Sequence, residues 1–414
     1  MLTNLKKLGP GLLFAGAAIG VSHLVQSTRA GADFGMGLLW ALLLVNLFKY
    51  PFFQFGPRYA SATGESLIEG YRKLGRGVLA SYFVLSLGTM FTIQAAVTIV
   101  TAGLANSLFG DIGTINLGSI SISSIQIWTV IILIICLIIL FVGKYNVLDK
   151  LIKIIIITLT ISTLIAVGFA FSGFDKPLSF VQKLPENGTE IAFLIAFMGW
   201  MPAPLDISVW HSIWTIEKKK TQKTFTPKEA LLDFNIGYVS TIVLGIAFLS
   251  LGYLVMFQSG EAFSNKAAVF SNQLIDLYTK SLGNWAYLII GIAAFTTMFS
   301  TTITTLDASP RAMSKSLDSL TNKTNKNGYR NWIIVLTLGT LIIFFLFASE
   351  MGLLIKIATI LSFITAPFYA IVNYKLISSK HTPAVWRPTL KLHILSYLGI
   401  IFLIGFSLWY LTTL

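Results

Sequence analysis

Two ionisable side chains, His23 and Asp206, stand inside apolar runs where a charge is costly to bury. His23 closes the stretch Ala17-Ala18-Ile19-Gly20-Val21-Ser22-His23, and Asp206 closes Gly199-Trp200-Met201-Pro202-Ala203-Pro204-Leu205-Asp206. Glycine and proline in these stretches oppose a continuous helix. In hydrocarbon, an interruption persists only where its backbone groups line a cavity or hold something. Gly20, Ser22, His23, Trp200, Pro204 and Asp206 are therefore the candidate substrate-binding residues. A neutral imidazole can ligate a metal, carry a proton or donate a hydrogen bond, and it can also simply pack. Asp206 can cap the helix beginning Ile207-Ser208-Val209-Trp210, bind a cation or pair with His23. As a metal site, His23 and Asp206 offer one imidazole and one carboxylate, supplemented by carbonyls of the breaks. Transition-metal sites gather more nitrogen or sulfur donors, so this set suits a hard or hydrated cation better. Trp200, Trp210 and Trp214 can pack around the break or stack on a substrate.

These residues need membrane-spanning elements to position them. Apolar residues make up 55% of the 414-residue chain and charged residues 11%, against roughly 25% charged in a soluble domain. A spanning helix needs about 20 apolar residues, and the pattern predicts eleven, over 9–30, 36–55, 78–108, 125–142, 151–171, 191–216, 234–257, 286–306, 332–348, 353–377 and 392–411. The first apolar run has no small-residue cleavage site and reads as structure, not a signal peptide. With the N-terminus inside, 23 Lys and Arg fall in inner connections and five outside, leaving Lys49 and Lys356 within or beside helices. The net charge of +13 is thereby a topological signal, and nucleic acid is excluded as a partner in favour of the lipid bilayer. The basic stretch from Glu217 to Lys228 orients the chain first and touches lipid second. Lys49 is expected to snorkel to the inner interface, Asp307 to pair locally with Arg311, and Cys136 to be inert packing. An odd span count puts the C-terminus outside, the N-terminus being cytoplasmic. Asn187-Gly188-Thr189 is a sequon in an outer loop.

The breaks fall in spans 1 and 6. An offset of five is odd, so the two halves insert with opposite orientation, as an inverted repeat does. The expected organisation is a first repeat over 1–172, an inverted second over 173–380 and an extra helix over 381–414. On span 8, Thr297, Ser300, Thr301 and Thr304 share related helical faces. They can pack helices together, or help break carbonyls hold a coupling ion such as sodium.

Several stretches stand out together: Gly9-Pro10-Gly11-Leu12-Leu13, Ala30-Gly31-Ala32 with Phe34-Gly35, the run from Leu38 to Leu47, Arg58-Tyr59-Ala60-Ser61-Ala62-Thr63-Gly64-Glu65-Ser66-Leu67, Gly143-Lys144-Tyr145-Asn146-Val147-Leu148-Asp149-Lys150-Leu151-Ile152-Lys153, and Trp210-His211-Ser212. They resemble the natural resistance-associated macrophage protein (NRAMP) type of metal transporter. The resemblance covers the first half most specifically. It implies an all-α polytopic membrane protein of the LeuT-type five-plus-five fold with about eleven transmembrane helices, working by alternating access. It also implies a proton or water-access role for His211. The binding motifs differ: where the family reads Asp-Pro-Gly-Asn this chain reads Gly20-Val21-Ser22-His23, and where it reads Met-Pro-His this chain reads Pro204-Leu205-Asp206.

No H-E-x-x-H, P-loop or nucleophile constellation is present, so the chain is not expected to be an enzyme or to carry an organic cofactor. The expected function is secondary active transport of a small inorganic ion, by resemblance a divalent metal cation, in a bacterial inner (plasma) membrane. The alternatives are an ion-coupled, sodium-driven transporter of a small anion or zwitterion, and a non-transporting membrane sensor or scaffold. A bound cation, divalent metal or sodium, is the ligand the pattern suggests.

Overall fold

A computed structural model describes residues 9–117, 120–142, 145–175, 177–222, 224–257, 263–347 and 351–412. Lys6, Lys7, Gly143, Lys144, Lys176 and Lys223 from the sequence reading lie outside the described residues.

Helices dominate because a helix satisfies its own backbone in lipid. The first span comes in pieces: α1 (Pro10–Ala18), then a π-helical turn (Ser22–Ser27) running into α2 (Thr28–Phe34). The two halves are bent by 47°. There follow α3 (Leu39–Thr63), the short α4 (Leu67–Leu74) and α5 (Arg76–Phe109). A small antiparallel hairpin of β1 (Ile115–Leu117) and β2 (Ile120–Ile122) precedes α6 (Ser124–Val142) and α7 (Tyr145–Ser172). The sixth span is again two pieces, α8 (Gly188–Trp200) and α9 (Ile207–Thr221). The remainder is α10 (Pro227–Met256), α11 (Ala267–Leu282), α12 (Ala286–Thr321), α13 (Gly328–Phe347), α14 (Met351–Ser378) and α15 (Leu390–Leu411).

Among the described residues, seven helices are long and apolar enough to cross a membrane, and the bent first pair makes an eighth. The expected spans 2, 5 and 6 correspond to α3, α7 and the α8–α9 pair. α3 is polar for a span because it holds Lys49 and Arg58. α4 and α11 are additions that hydropathy did not mark. α4 is strongly amphipathic and opens with a capping box between Ser66 and Glu69. Asn187, the sequon asparagine, caps α8 by accepting the Glu190 N–H at 3.0 Å.

The broken first span is gripped by one long helix. α10 runs along both halves of span 1, backbone against backbone. A Cβ on Gly237 would lie 2.1 Å from Gly11 O, and one on Gly252 2.1 Å from Thr28 O. A Cβ on Gly31 would lie 2.0 Å from Leu249 O. Membrane helices use such small residues because lipid supplies no hydrophobic force to draw helices together. α10 also caps α1: the Asp233 carboxylate accepts from Gly9 N at 3.1 Å and Gly11 N at 2.7 Å.

In span 6 the halves have different neighbours: α9 packs on α3, and α8 packs on α14, where a Cβ on Gly199 would lie 2.2 Å from Thr359 O. A Cβ on Gly56 would lie 2.3 Å from Ser208 O of α9, and Lys49, two turns earlier, meets the end of α8. Span 2 thus bears on span 6 as span 7 bears on span 1. An inverted five-helix repeat requires this relation.

Candidate functional site

The two interruptions face each other. The Ser22 hydroxyl lies 2.8 Å from Ala18 O, 2.7 Å from His23 Nδ1 and 3.3 Å from Pro202 O across the gap. Gly20 lets α12 come close to the first break, since a Cβ there would lie 2.8 Å from Thr301 Oγ1.

The sixth-span break follows from its prolines. Pro202 and Pro204 have no N–H, so the carbonyls four residues earlier, on Met198 and Trp200, lose their helical donors. Lys49 answers part of that loss. Its ammonium donates to Met198 O and Gly199 O, each at 2.7 Å, to Met201 O at 3.1 Å and to Ala203 O at 3.3 Å. Lys49 is 0% exposed. It does not snorkel as its sequence position suggested, because these acceptors lie within reach in the interior.

His23 is likewise fully engaged. Nε2 lies 2.9 Å from Thr241 O of α10, and Nδ1 meets the Ser22 hydroxyl. With the proton on Nε2, that nitrogen donates to Thr241 O, and the one available ring lone pair, on Nδ1, accepts from Ser22. No His23–Asp206 hydrogen bond occurs among the described residues; His23 meets Ser22 and Thr241 instead.

Asp206 forms no side-chain cap on α9, contrary to one expectation, because its own backbone is already helical (φ −62°, ψ −23°). Its Oδ1 is buried with no hydrogen-bond partner among the described residues. Lys49 and the tyrosines Tyr71, Tyr82 and Tyr369 lie within electrostatic reach. Tyr71 donates to Asn373, whose amide donates to Phe52 O at 3.2 Å and Ser208 Oγ at 2.9 Å. Sequence reading missed this polar group, since its members come from four separate helices with no common spacing.

Between the breaks lies a cavity of about 20 Å³, room for about one water or bare ion. Ala17, Ala18, Val21, Ser22, Trp200, Pro204, Trp210, Thr301 and Thr305 are among its lining residues. Trp200 is fixed by donating to Ser362 Oγ at 2.8 Å. A larger cavity of about 350 Å³ lies between α2, α8 and α14, with Arg29, Asp33 and Lys356 in its wall.

Of the four α12 hydroxyls, Thr301 meets span 1. Thr301 Oγ1 lies 3.2 Å from Gly16 O, 3.4 Å from Ile19 O and 3.2 Å from Thr297 O. Ser300 Oγ and Thr304 Oγ1 are buried without partners among the described residues, while Thr297 donates to Ala293 O. His211 forms a triangle of rings with Phe14 and Phe234, at centroid distances of 5.6 and 5.8 Å with the two phenyls 5.8 Å apart, and neither nitrogen has a hydrogen-bond partner among the described residues. Asp307 makes the expected local pair, accepting Arg311 Nε at 2.8 Å, and also accepts Tyr329 OH at 2.6 Å.

Comparisons with known proteins agree with this architecture. An uncharacterized protein of Pasteurella multocida is 36% identical over 408 residues, 97% of this chain and 90% of that one. A manganese transporter of Eremococcus coleocola superposes with a TM-score of 0.73 at 15% identity, covering 97% of this chain and 85% of that chain. A nucleobase-cation-symport-1 family transporter superposes with a TM-score of 0.60 at 15% identity, covering 98% and 92%. The fold is therefore the LeuT-type five-plus-five bundle of an integral membrane protein. The natural resistance-associated macrophage protein-like (Nramp) family profile matches residues 11–413, and this chain belongs to that family.

Proposed function

We propose that this secondary transporter carries a hard or hydrated divalent metal cation, by alternating access around the paired breaks. The observation that carries the reading is Asp206, a buried carboxylate at the sixth-span break whose Oδ1 has no partner. Its charge attracts a cation, and break carbonyls and nearby hydroxyls can complete an oxygen shell. Similarity to a protein described as a manganese transporter supports the cargo class. Among the described residues no three His, Cys, Asp or Glu cluster as metal ligands. Selection would then rest on ion size and hydration instead of soft ligation. His211, buried and unpartnered beside α1, is assigned to proton or water access. The N-terminus is assigned to the cytoplasm and the C-terminus to the outside of a bacterial inner membrane, on the distribution of Lys and Arg.

Sodium is the proposed coupling ion, held by the Gly16 and Ile19 carbonyls with Thr301 and its neighbours Ser300 and Thr304. Thr301→Val keeps the volume and removes the hydroxyl. It is expected to lower apparent sodium affinity by about 10-fold or more, read as the sodium dependence of the melting temperature. An unchanged sodium dependence rejects the assignment.

The walls favour a second reading. Ala17, Ala18, Val21, Ile93, Val97 and Ile207 make the chamber largely apolar, and Arg29 with Lys356 outnumber Asp33 in the larger cavity. A small anion or zwitterion would suit such surroundings. A melting-temperature series decides, using manganese, magnesium, calcium, sodium and small carboxylates, followed by uptake of each hit into proteoliposomes. Stabilisation by a divalent ion, lost in Asp206→Asn, supports the first reading. Stabilisation by an anion only in the presence of sodium replaces it. Ligand binding with no uptake of any probe points to a sensor.

A further inference from the structure

We propose that the carbonyl cage at the sixth-span break is a monovalent-cation site whose resident ion is the chain's own Lys49 ammonium. A free alkali or alkylammonium ion occupies it only when that side chain is removed. The inference is independent of the cargo.

The cage consists of four backbone carbonyls, of Met198, Gly199, Met201 and Ala203, at 2.7, 2.7, 3.1 and 3.3 Å from Nζ. No carboxylate is hydrogen-bonded to Nζ among the described residues, and Asp206 acts only through space. Inward-pointing carbonyl dipoles without formal charge replace the hydration shell of a monovalent ion. The first two belong to the last turn of α8, the negative end of a half-helix. An ammonium has three N–H donors, enough for the two short contacts and one shared between the longer pair.

Each partner accounts for the other. Without the ammonium, the Met198 carbonyl freed by Pro202, and its neighbours at the break, would lose this donor at membrane depth. Without the cage, a cation at 0% exposure would be untenable. α3 fixes the reach of the side chain, because Gly56 seats that helix on Ser208 of α9. The sixth-span break therefore has no vacancy for a free monovalent co-ion, and the Lys49 ammonium stands beside the chamber. A transported cation must then be held on the side of Asp206 and the first-span break.

The test is chemical rescue in the purified full-length protein. Lys49→Ala removes the atoms from Cγ to Nζ, which n-propylammonium replaces. Melting temperatures are compared in choline, potassium and n-propylammonium chlorides. We expect Lys49→Ala to melt at least about 5 °C below wild type in choline. Propylammonium should restore half or more of that loss and leave wild type unmoved. In Lys49→Met, whose stem fills the same path, potassium or ammonium should stabilise instead. Lys49→Met melting like wild type in choline, or no rescue beyond choline in either variant, overturns the proposal. Should neither variant fold, wild type labelled with 15N at lysine Nζ gives the answer. One ammonium signal protected from solvent exchange is expected, and its absence overturns the proposal.

Discussion

Replacing Asp206 with Asn is expected to cut uptake of manganese into proteoliposomes by at least about 10-fold while the protein stays folded. The amide matches the carboxylate in shape, removes its charge and replaces one acceptor oxygen by an NH2 donor. At an effective dielectric near 20, one unit charge about 4 Å from a cation contributes about 4 kcal/mol, twice that for a divalent ion. No hydrogen bond to Oδ1 is lost, and Lys49 keeps its four carbonyls, so the melting temperature should move by only a few degrees. Asp206→Glu should recover part of the uptake, since charge returns with altered reach. Full activity in Asp206→Asn would remove this carboxylate from the mechanism.

Gly237→Val should abolish recovery of folded protein. The new Cβ would fall 2.1 Å from Gly11 O and 2.7 Å from its carbonyl carbon. No rotamer relieves a clash with backbone, so α10 must part from α1. The move would also pull Asp233 away from the N–H groups of Gly9 and Gly11. Ordinary overpacking costs about 1–3 kcal/mol, and loss of the cap about 0.5–2 kcal/mol more. Detergent-extracted Gly237→Val is expected to elute as aggregate in size-exclusion chromatography. Gly168→Ala, at a glycine with nothing within 4 Å, should run like wild type.

The scaffold was legible because hydrophobic length and backbone satisfaction are local properties. The break around Gly20 and the Pro202–Pro204 pair both announce themselves in the chain, and the offset between them implies the inverted repeat. What remained hidden depends on partners distant in sequence. Lys49 looks like a stray basic residue in an apolar helix until the carbonyls freed 149 or more residues away are seen around it. Asp233 gave no sign of its role, since the α1 terminus it caps lies over 220 residues earlier. His23 reads as ligand, proton carrier, hydrogen-bond donor or packing residue, because nothing near it in sequence shows that Ser22 and Thr241 meet its two nitrogens. Asp206 as a cap was a sound local guess, set aside by a helical backbone that begins one residue early.

Alternating exposure of the chamber between the breaks is the point on which the account stands. Val21 lines that chamber, and Cys136, the one native cysteine, is buried. The most direct measurement is labelling of Val21→Cys by a membrane-impermeant thiol reagent, in vesicles of each orientation. The account predicts modification from both sides, slowed when the cargo is added. Modification from one side only, whatever ion is supplied, would contradict it.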